Sequence, residues 1–341
     1  MKVIGVGNTG MKFASMFDDK PILISTAHQD SANFTDKEVH TFTEDGAGKR
    51  FGTGLKIWQS NEVRLKKIFE NIVDNKVLIF SSFGGGSGSS SVGFLSELFL
   101  EQNNQVLVVG VVPYRKEINP PLANAVQAMN SLLPLLDRVS VMVFDNQKLL
   151  KKYENDWIKV NNHIIQRAKY AVSLIDEFSL DGYSPLTIDR SEHLSVIFGG
   201  GFIEVSDSFL EDTNPKFDYG KIDAETKNVL IAMFIDKKVS DKRVDEYHKH
   251  LTQLTSKIAN RAKNARFITG IMRGQVNWKR LETDDVFDRA YVTIASGVGM
   301  EKYIKEIEKI RDDAMERASH YAEKRKVEKV IDKKSEKLLD I

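Results

Sequence analysis

Phe83-Gly84-Gly85-Gly86-Ser87-Gly88-Ser89-Ser90-Ser91 decides how the rest of the chain is read. Consecutive glycines let backbone N–H groups come close to a ligand and take up φ > 0 without steric cost. The run lies between an apolar strand pattern over 76–82 and an apolar helical pattern over 92–101. A Gly-Ser loop in that position can cradle a phosphate, because free N–H groups and the helix dipole both favour an anion there. Ser87, Ser89, Ser90 and Ser91 add hydroxyl donors. The plain alternative is a flexible linker, and the buried-type segments on both sides argue against it. It is no P-loop, since no GxxxxGK[ST] occurs.

Working outward, short continuous apolar runs alternate with helical patterns through the first 155 residues. Strands are predicted at 2–6, 21–25, 76–82, 105–112 and 139–144, and helices at 11–17, 61–74, 92–101 and 124–136. Residues 45–54 hold four glycines and are predicted to be loop. Continuous rather than alternating apolar strands imply a parallel sheet covered on both faces. In such sheets ligands sit beyond the carboxyl ends of the strands. The first strand–helix turn, Gly5-Val6-Gly7-Asn8-Thr9-Gly10, reads GxGxxG, but no acidic residue ends the second strand, so a Rossmann dinucleotide site is not supported. A ligand-free tight turn is its plain alternative.

The second half begins with a long helical pattern over 156–179, broken at Gly182 and Pro185. Strands are expected near 201–205, 228–235, 267–272 and 290–295, with a helix over 241–262. The chain thus reads as α/β: a parallel-sheet domain over 1–155, a central helix over 156–181, a second α/β domain with a mixed sheet over 182–300, and a charged helix or tail over 301–341. Gly199-Gly200-Gly201 precedes a strand and is read as a bend or bulge rather than a second phosphate loop. Between Glu323 and Lys337 there are seven basic and four acidic residues, fitting either a solvated helix or a docking tail.

Bulk composition excludes several classes. The net charge of +1 gives no global pull toward nucleic acid or membrane, so direct DNA binding is not expected. With no cysteine there is no disulfide, thiolate metal site or thiol catalysis. The seven histidines show no HxxxH or HExxH spacing. No signal-peptide layout or span-length apolar run is read, and a cytoplasmic location is expected.

Gly84–Ser91 resembles the GGGTG(T/S)G signature of the tubulin/FtsZ superfamily. Further segments match in order. Gly7-Asn8-Thr9-Gly10-Met11-Lys12 resembles the first phosphate loop, and Ser25-Thr26-Ala27-His28-Gln29-Asp30 the second. Gly46-Ala47-Gly48-Lys49-Arg50 resembles the third, γ-phosphate-sensing loop. Phe144-Asp145-Asn146-Gln147-Lys148-Leu149 resembles the PNDRL segment, and 160–165 the start of the central helix. Leu186-Thr187-Ile188-Asp189-Arg190-Ser191-Glu192 resembles the synergy loop. Lys12, Thr187 and Arg190 depart from the usual pattern, toward the divergent plasmid and phage members (TubZ-like, PhuZ-like).

The resemblance implies a GTPase that polymerises head-to-tail with itself, using GTP/GDP and Mg2+, the metal being held through the phosphates. The implied nucleotide-binding residues are Gly7, Asn8, Thr9, Lys12, Gly46, Ala47, Gly48, Gly84, Gly85, Gly86, Ser87, Gly88, Ser89, Asn146 and Asn162. Asn162 would read guanine through its amide, or is an exposed helix polar; Trp157 or Ile158 would cover the base, or Trp157 is a packing anchor. Lys12, Lys49 and Arg50 offset phosphate charge or are solvated. Asp189 and Glu192 of one subunit would polarise water at its neighbour's GTP, and Asp189 also suits a helix N-cap. The implied task is plasmid or phage DNA segregation through a DNA-bound adaptor at the C-terminal tail. FtsZ-like division, a non-hydrolysing scaffold and a small-molecule α/β enzyme are the other readings.

Overall fold

Five apolar segments of the first 145 residues do form the parallel strands expected of them, and a sixth strand joins them. The structure, a computed structural model, describes residues 1–115, 120–177, 188–208, 217, 220–236, 238–274, 289–299, 301, 303–312, 315–316 and 319. The strands are β1 (Lys2–Val6), β2 (Ile22–Ala27), β3 (Val39–Thr43), β4 (Lys76–Ser82), β5 (Gln105–Val112), β6 (Val139–Asp145), β7 (Gly201–Ser208), β8 (Asn228–Asp236), β9 (Arg266–Gly274) and β10 (Arg289–Ser296). They form a ten-stranded sheet in the order β3-β2-β1-β4-β5-β6-β7-β10-β8-β9. β1 to β6 pair in parallel, with Gly5 opposite Phe80 and Phe80 opposite Val109 at the centre. β10 runs antiparallel to β7 and β8, which makes the second half mixed.

The helices are α1 (Gly7–Phe17), α2 (Phe51–Ser60), α3 (Glu62–Ile68), α4 (Gly86–Glu101), α5 (Pro121–Leu132), α6 (Asn146–Lys152), α7 (Trp157–Glu177), α8 (Arg190–Ile197), α9 (Asp241–Ala259) and α10 (303–312). Successive strand residues point to opposite faces, so each strand feeds two cores. Leu78 and Phe80 pack with α1, α7 and α8 on one face. Val77 and Ile79 pack with α2 to α5 and with Tyr303, Ile304 and Ile307 of α10 on the other. Each fully buried side chain of this kind contributes about 1.5–3 kcal/mol, which is why both faces are closed. α9 covers β8 to β10 in a third core.

Four sequence expectations are corrected. The loop expected over 45–54 turns helical at Phe51, where α2 begins, so Gly52 and Gly54 are helical, and the helix expected over 61–74 is the shorter α3. At Gly54 a Cβ would lie 2.5 Å from the Gly86 carbonyl oxygen; this close approach of α2 to α4 overrides glycine's low helix propensity. The glycine run is not a loop preceding a helix at 92: α4 begins at Gly86. Likewise α1 begins at Gly7, not at 11. The edge strand β3 and the short helix α6 were not expected.

Gly200 and Gly201 have φ of +82° and +87°, the bend expected there. Leu186 and Thr187, and the basic run over 323–337, lie outside the described residues.

Candidate functional site

Parallel strands all point their carboxyl ends to the same edge, so the turns after β1, β2 and β4 converge. One continuous cleft lies there. One half, of about 670 Å3, is lined by Thr9, Lys12, Phe13, Gly84, Gly85, Asn146, Trp157 and Asn161 among others. The other half, of about 300 Å3, is lined by Gly7, Asn8, Asp30, Asp45, Ala47, Gly48, Gly86, Ser87 and Gly88 among others. Thr9, Lys49, Ser82 and Gly85 border both.

The smaller half is built for anions. α1 and α4 both start at it, neither has a side-chain N-cap, and neither carries an acidic residue in its first turn. Their first N–H groups are therefore available to a ligand. The two starts lie side by side: Gly7, at φ +66°, has its missing Cβ facing Gly88 N and Ser87 Cβ, each at 3.4 Å. The third loop closes the same half with left-handed residues Gly46, Gly48 and Lys49. Gly85 has an ordinary extended conformation, φ −80° and ψ 154°. A Cβ there would meet nothing within 4 Å. Neither backbone nor packing requires glycine at this position; what its missing side chain leaves is space in the cleft. Among the described residues the buried Oδ1 of Asn8 finds no hydrogen-bond partner.

Three buried side chains hold the glycine turn. The Trp58 Nε1–H donates to the Ser87 carbonyl at 3.1 Å and to Ser90 Oγ at 3.0 Å. The hydroxyls of Thr26 and Ser87 bond to each other. The Asn124 amide donates to the carbonyls of Lys49 and Gly84. The hydroxyls of Ser89 and Ser90 donate to the carbonyls of Gly85 and Gly86, tightening the first turn.

The larger half has half-exposed Trp157 on one wall, with Phe13 and Met16 nearby. Trp157 and Asn161 are i, i+4 on α7 and share a face.

Most expected binding residues line this cleft: Gly7, Asn8, Thr9, Lys12, Ala47, Gly48, Gly84 to Gly88 and Asn146. Three do not. Asn162 is exposed and turned away, and Asn161 stands in its place. Ser89 is buried, its hydroxyl taken by Gly85. Gly46 sits against Ala27, where a Cβ would be 2.5 Å from the Ala27 Cβ. Trp58, Asn124 and Asn161 were missed. The periodicity of α7 pointed to Asn161; a lone amide among apolar residues in Leu122-Ala123-Asn124-Ala125-Val126 was the signal for Asn124.

Asp189 and Glu192 are elsewhere. Asp189 is the N-cap of α8, accepting from Glu192 N at 2.8 Å, while Glu192 Oε2 accepts from Asp189 N: a capping box. The Ser191 hydroxyl, then the Glu192 N–H, holds the Asp189 carboxyl below its ordinary value. Asp189 is exposed and Glu192 half-buried. Their neighbour Arg190 shares a surface hollow with Met1, Asn75 and Lys76, the residues where β1 and β4 begin. The pair thus marks the amino edge of the sheet, and the cleft the carboxyl edge. The seven residues of β4 separate the two edges by roughly 20 Å.

An open, largely parallel sheet with a helix-N-terminal anion cleft at its carboxyl edge defines a nucleotide-phosphate-type α/β domain. Residues 12–154 match the model of the Tubulin/FtsZ family, GTPase domain. The chain superposes on a GTPγS-form protofilament of Bacillus thuringiensis serovar israelensis TubZ with TM-score 0.73 and 14% identity, covering 96% of this chain and 94% of that one. For GDP-bound CetZ1 of Haloferax volcanii the values are 0.67 and 16%, over 92% and 100%. For the empty FtsZ dimer of M. jannaschii they are 0.62 and 18%, over 88% and 88%. The fold is that of the tubulin/FtsZ superfamily. No curated protein matches the sequence.

Proposed function

We propose that the chain binds GTP and GDP in the carboxyl-edge cleft, assembles head-to-tail with copies of itself, and hydrolyses GTP only where two subunits meet. The phosphates lie on the N–H groups at the starts of α1 and α4; the base lies against Trp157, with Asn161 and Asn146 offering amide donors and acceptors. The observation that carries the reading is the opposite placement of the two halves of the site. Asp189 and Glu192 cannot reach the cleft of their own subunit across about 20 Å of sheet. A head-to-tail repeat brings the amino edge of one copy onto the carboxyl edge of the next, and such heterologous contacts propagate as filaments.

In that junction Glu192 polarises the attacking water and Asp189 supports it, the cap fixing both at the start of α8. Mg2+, held through the phosphates, would neutralise their charge, and the buried Asn8 Oδ1 at the start of α1 would be available to accept a hydrogen bond from the bound group. Among the described residues no group of three or more His, Asp or Glu forms a metal site.

The cellular task we favour is plasmid or phage DNA positioning through an adaptor on the C-terminal tail, supported by the higher TM-score to TubZ than to FtsZ. Sedimentation with GTP, GDP and a slowly hydrolysed analogue, with phosphate release in parallel, tests the reading. Polymer with GTP that is lost as GTP is consumed, and persists with the analogue, is expected. Nucleotide binding without a concentration threshold for turnover contradicts it.

A further inference from the structure

Asn124 lies on the first turn of α5, 4% exposed, and touches two loops that are distant in sequence. Its Nδ2 donates to the Lys49 carbonyl at 2.9 Å and to the Gly84 carbonyl at 3.0 Å. Its Oδ1 accepts from the Phe51 N–H at 3.2 Å, the first residue of α2. One side chain thus satisfies three backbone groups: one at the end of the third loop, one at the start of the helix that follows it, and one in the glycine turn. An amide is suited to this, having two donor hydrogens and an acceptor oxygen on one rigid plane.

The two loops that Asn124 joins are in contact where the ligand would end. A Cβ on Gly86 would fall 2.8 Å from Ala47 Cβ and 3.1 Å from Lys49 Cα. Ala47 and Gly48 border only the half of the cleft remote from Trp157 and Asn161. A polyphosphate running from the base wall past Gly85 reaches the third loop with its last phosphate. The left-handed run at Gly46, Gly48 and Lys49 gives that loop little regular hydrogen bonding of its own. Its inner bond is the one from Arg50 N to Ala47 O at 3.0 Å.

We propose that Asn124 is a positioning residue for the terminal phosphate: by tying the third loop to the glycine turn it sets the width of the cleft at its far end. It makes the cleft distinguish a nucleoside triphosphate from a diphosphate. The proposal rests on the nucleotide reading above.

The test is the pair of dissociation constants for GDP and for GTPγS, measured by calorimetry on the full chain, with thermal melting alongside. The variants are Asn124→Ala and Asn124→Asp. The aspartate keeps the shape and the bond from Phe51 N, but turns a carboxylate oxygen toward two carbonyls. In both variants GTPγS binding is expected to weaken about tenfold more than GDP binding, the size of one lost hydrogen bond. Asn124→Asp is expected to melt lower as well, because its carboxylate faces two carbonyl oxygens at about 3 Å; the ratio of the two dissociation constants within each folded variant, rather than the melting point, reads the proposal. Equal weakening of both nucleotides, or none, would overturn the proposal while leaving the nucleotide reading intact. If the unaltered protein binds neither nucleotide, the reading itself fails and the proposal with it.

Discussion

Replacing Gly85 by alanine separates ligand space from structural need. Gly85 is the N-cap of α4 in an ordinary extended conformation, and its added Cβ would touch nothing. Two opposed effects act on stability. Alanine restricts the unfolded chain and stabilises by about 0.4–1 kcal/mol. Alanine is a poorer N-cap than glycine by about the same amount. The net change is therefore near zero, and the melting point moves by no more than about 2 °C. The ligand meets a different outcome. The methyl carbon stands in the space bordering both halves of the cleft, where a phosphate oxygen would take N–H groups from the start of α4 at roughly 2.9 Å. Losing one such charge-assisted bond costs about 1.5–3 kcal/mol, or roughly tenfold to a hundredfold in affinity. Differential scanning fluorimetry without nucleotide and titration calorimetry with GTPγS measure the two quantities. A Kd unchanged within threefold would refute the argument that this gap is kept for a phosphate. A fall of several degrees in melting point would refute the argument that Gly85 is free of packing.

Gly10→Ala is expected to destabilise: helix propensity gains about 1 kcal/mol, but the Cβ would lie 2.2 Å from the Phe80 carbonyl oxygen in the centre of the sheet. Overpacking of about 1–3 kcal/mol against an immobile strand wins, and a raised melting point would contradict this. Trp58→Phe removes the donor to Ser87 O and Ser90 Oγ and is expected to cost about 1–3 kcal/mol, read by urea unfolding, with nucleotide affinity falling as the turn loosens. Asp189 is held below its ordinary pKa first by the Ser191 hydroxyl. Its ionised, capping form persists above the ordinary carboxylate range and is lost as pH falls through the lowered value. Ser191→Ala is expected to move the acid limb of phosphate release to higher pH; an unmoved limb would argue against Asp189 acting in the ionised form.

Much of the sheet was legible because buried parallel strands leave an unmistakable local mark: continuous apolar runs at 76–82, 105–112 and 139–144. The expected cleft followed from the topology, since the glycine turns follow strand ends. β3 was missed because, at the sheet edge and half-buried along its whole length, Val39-His40-Thr41-Phe42-Thr43 carries no apolar run. The starts of α2 and α4 were misjudged for a different reason. At Gly54 of α2 a Cβ would strike Ser90 and Gly86 of α4, and at Gly86 it would strike Ala47 and Lys49 of the third loop, tertiary demands that propensity cannot register. Asn162 and Asn161 differ by a 100° turn of helix, which motif matching did not resolve and the spacing from Trp157 would have. Trp58 and Asn124 act through bonds to residues 29 and 40 positions away or more, so only the folded chain reveals them.

The claim at the centre is that the site is shared: Glu192 of one subunit acts on the nucleotide of the next. Glu192→Gln subunits carrying GTP labelled in its terminal phosphate, mixed with unaltered subunits carrying unlabelled GTP, test it directly. Release of labelled phosphate on mixing above the assembly threshold, and not below it, is the predicted result. Label retained in the mixed polymer, or released at the unaltered rate by Glu192→Gln alone, would contradict it.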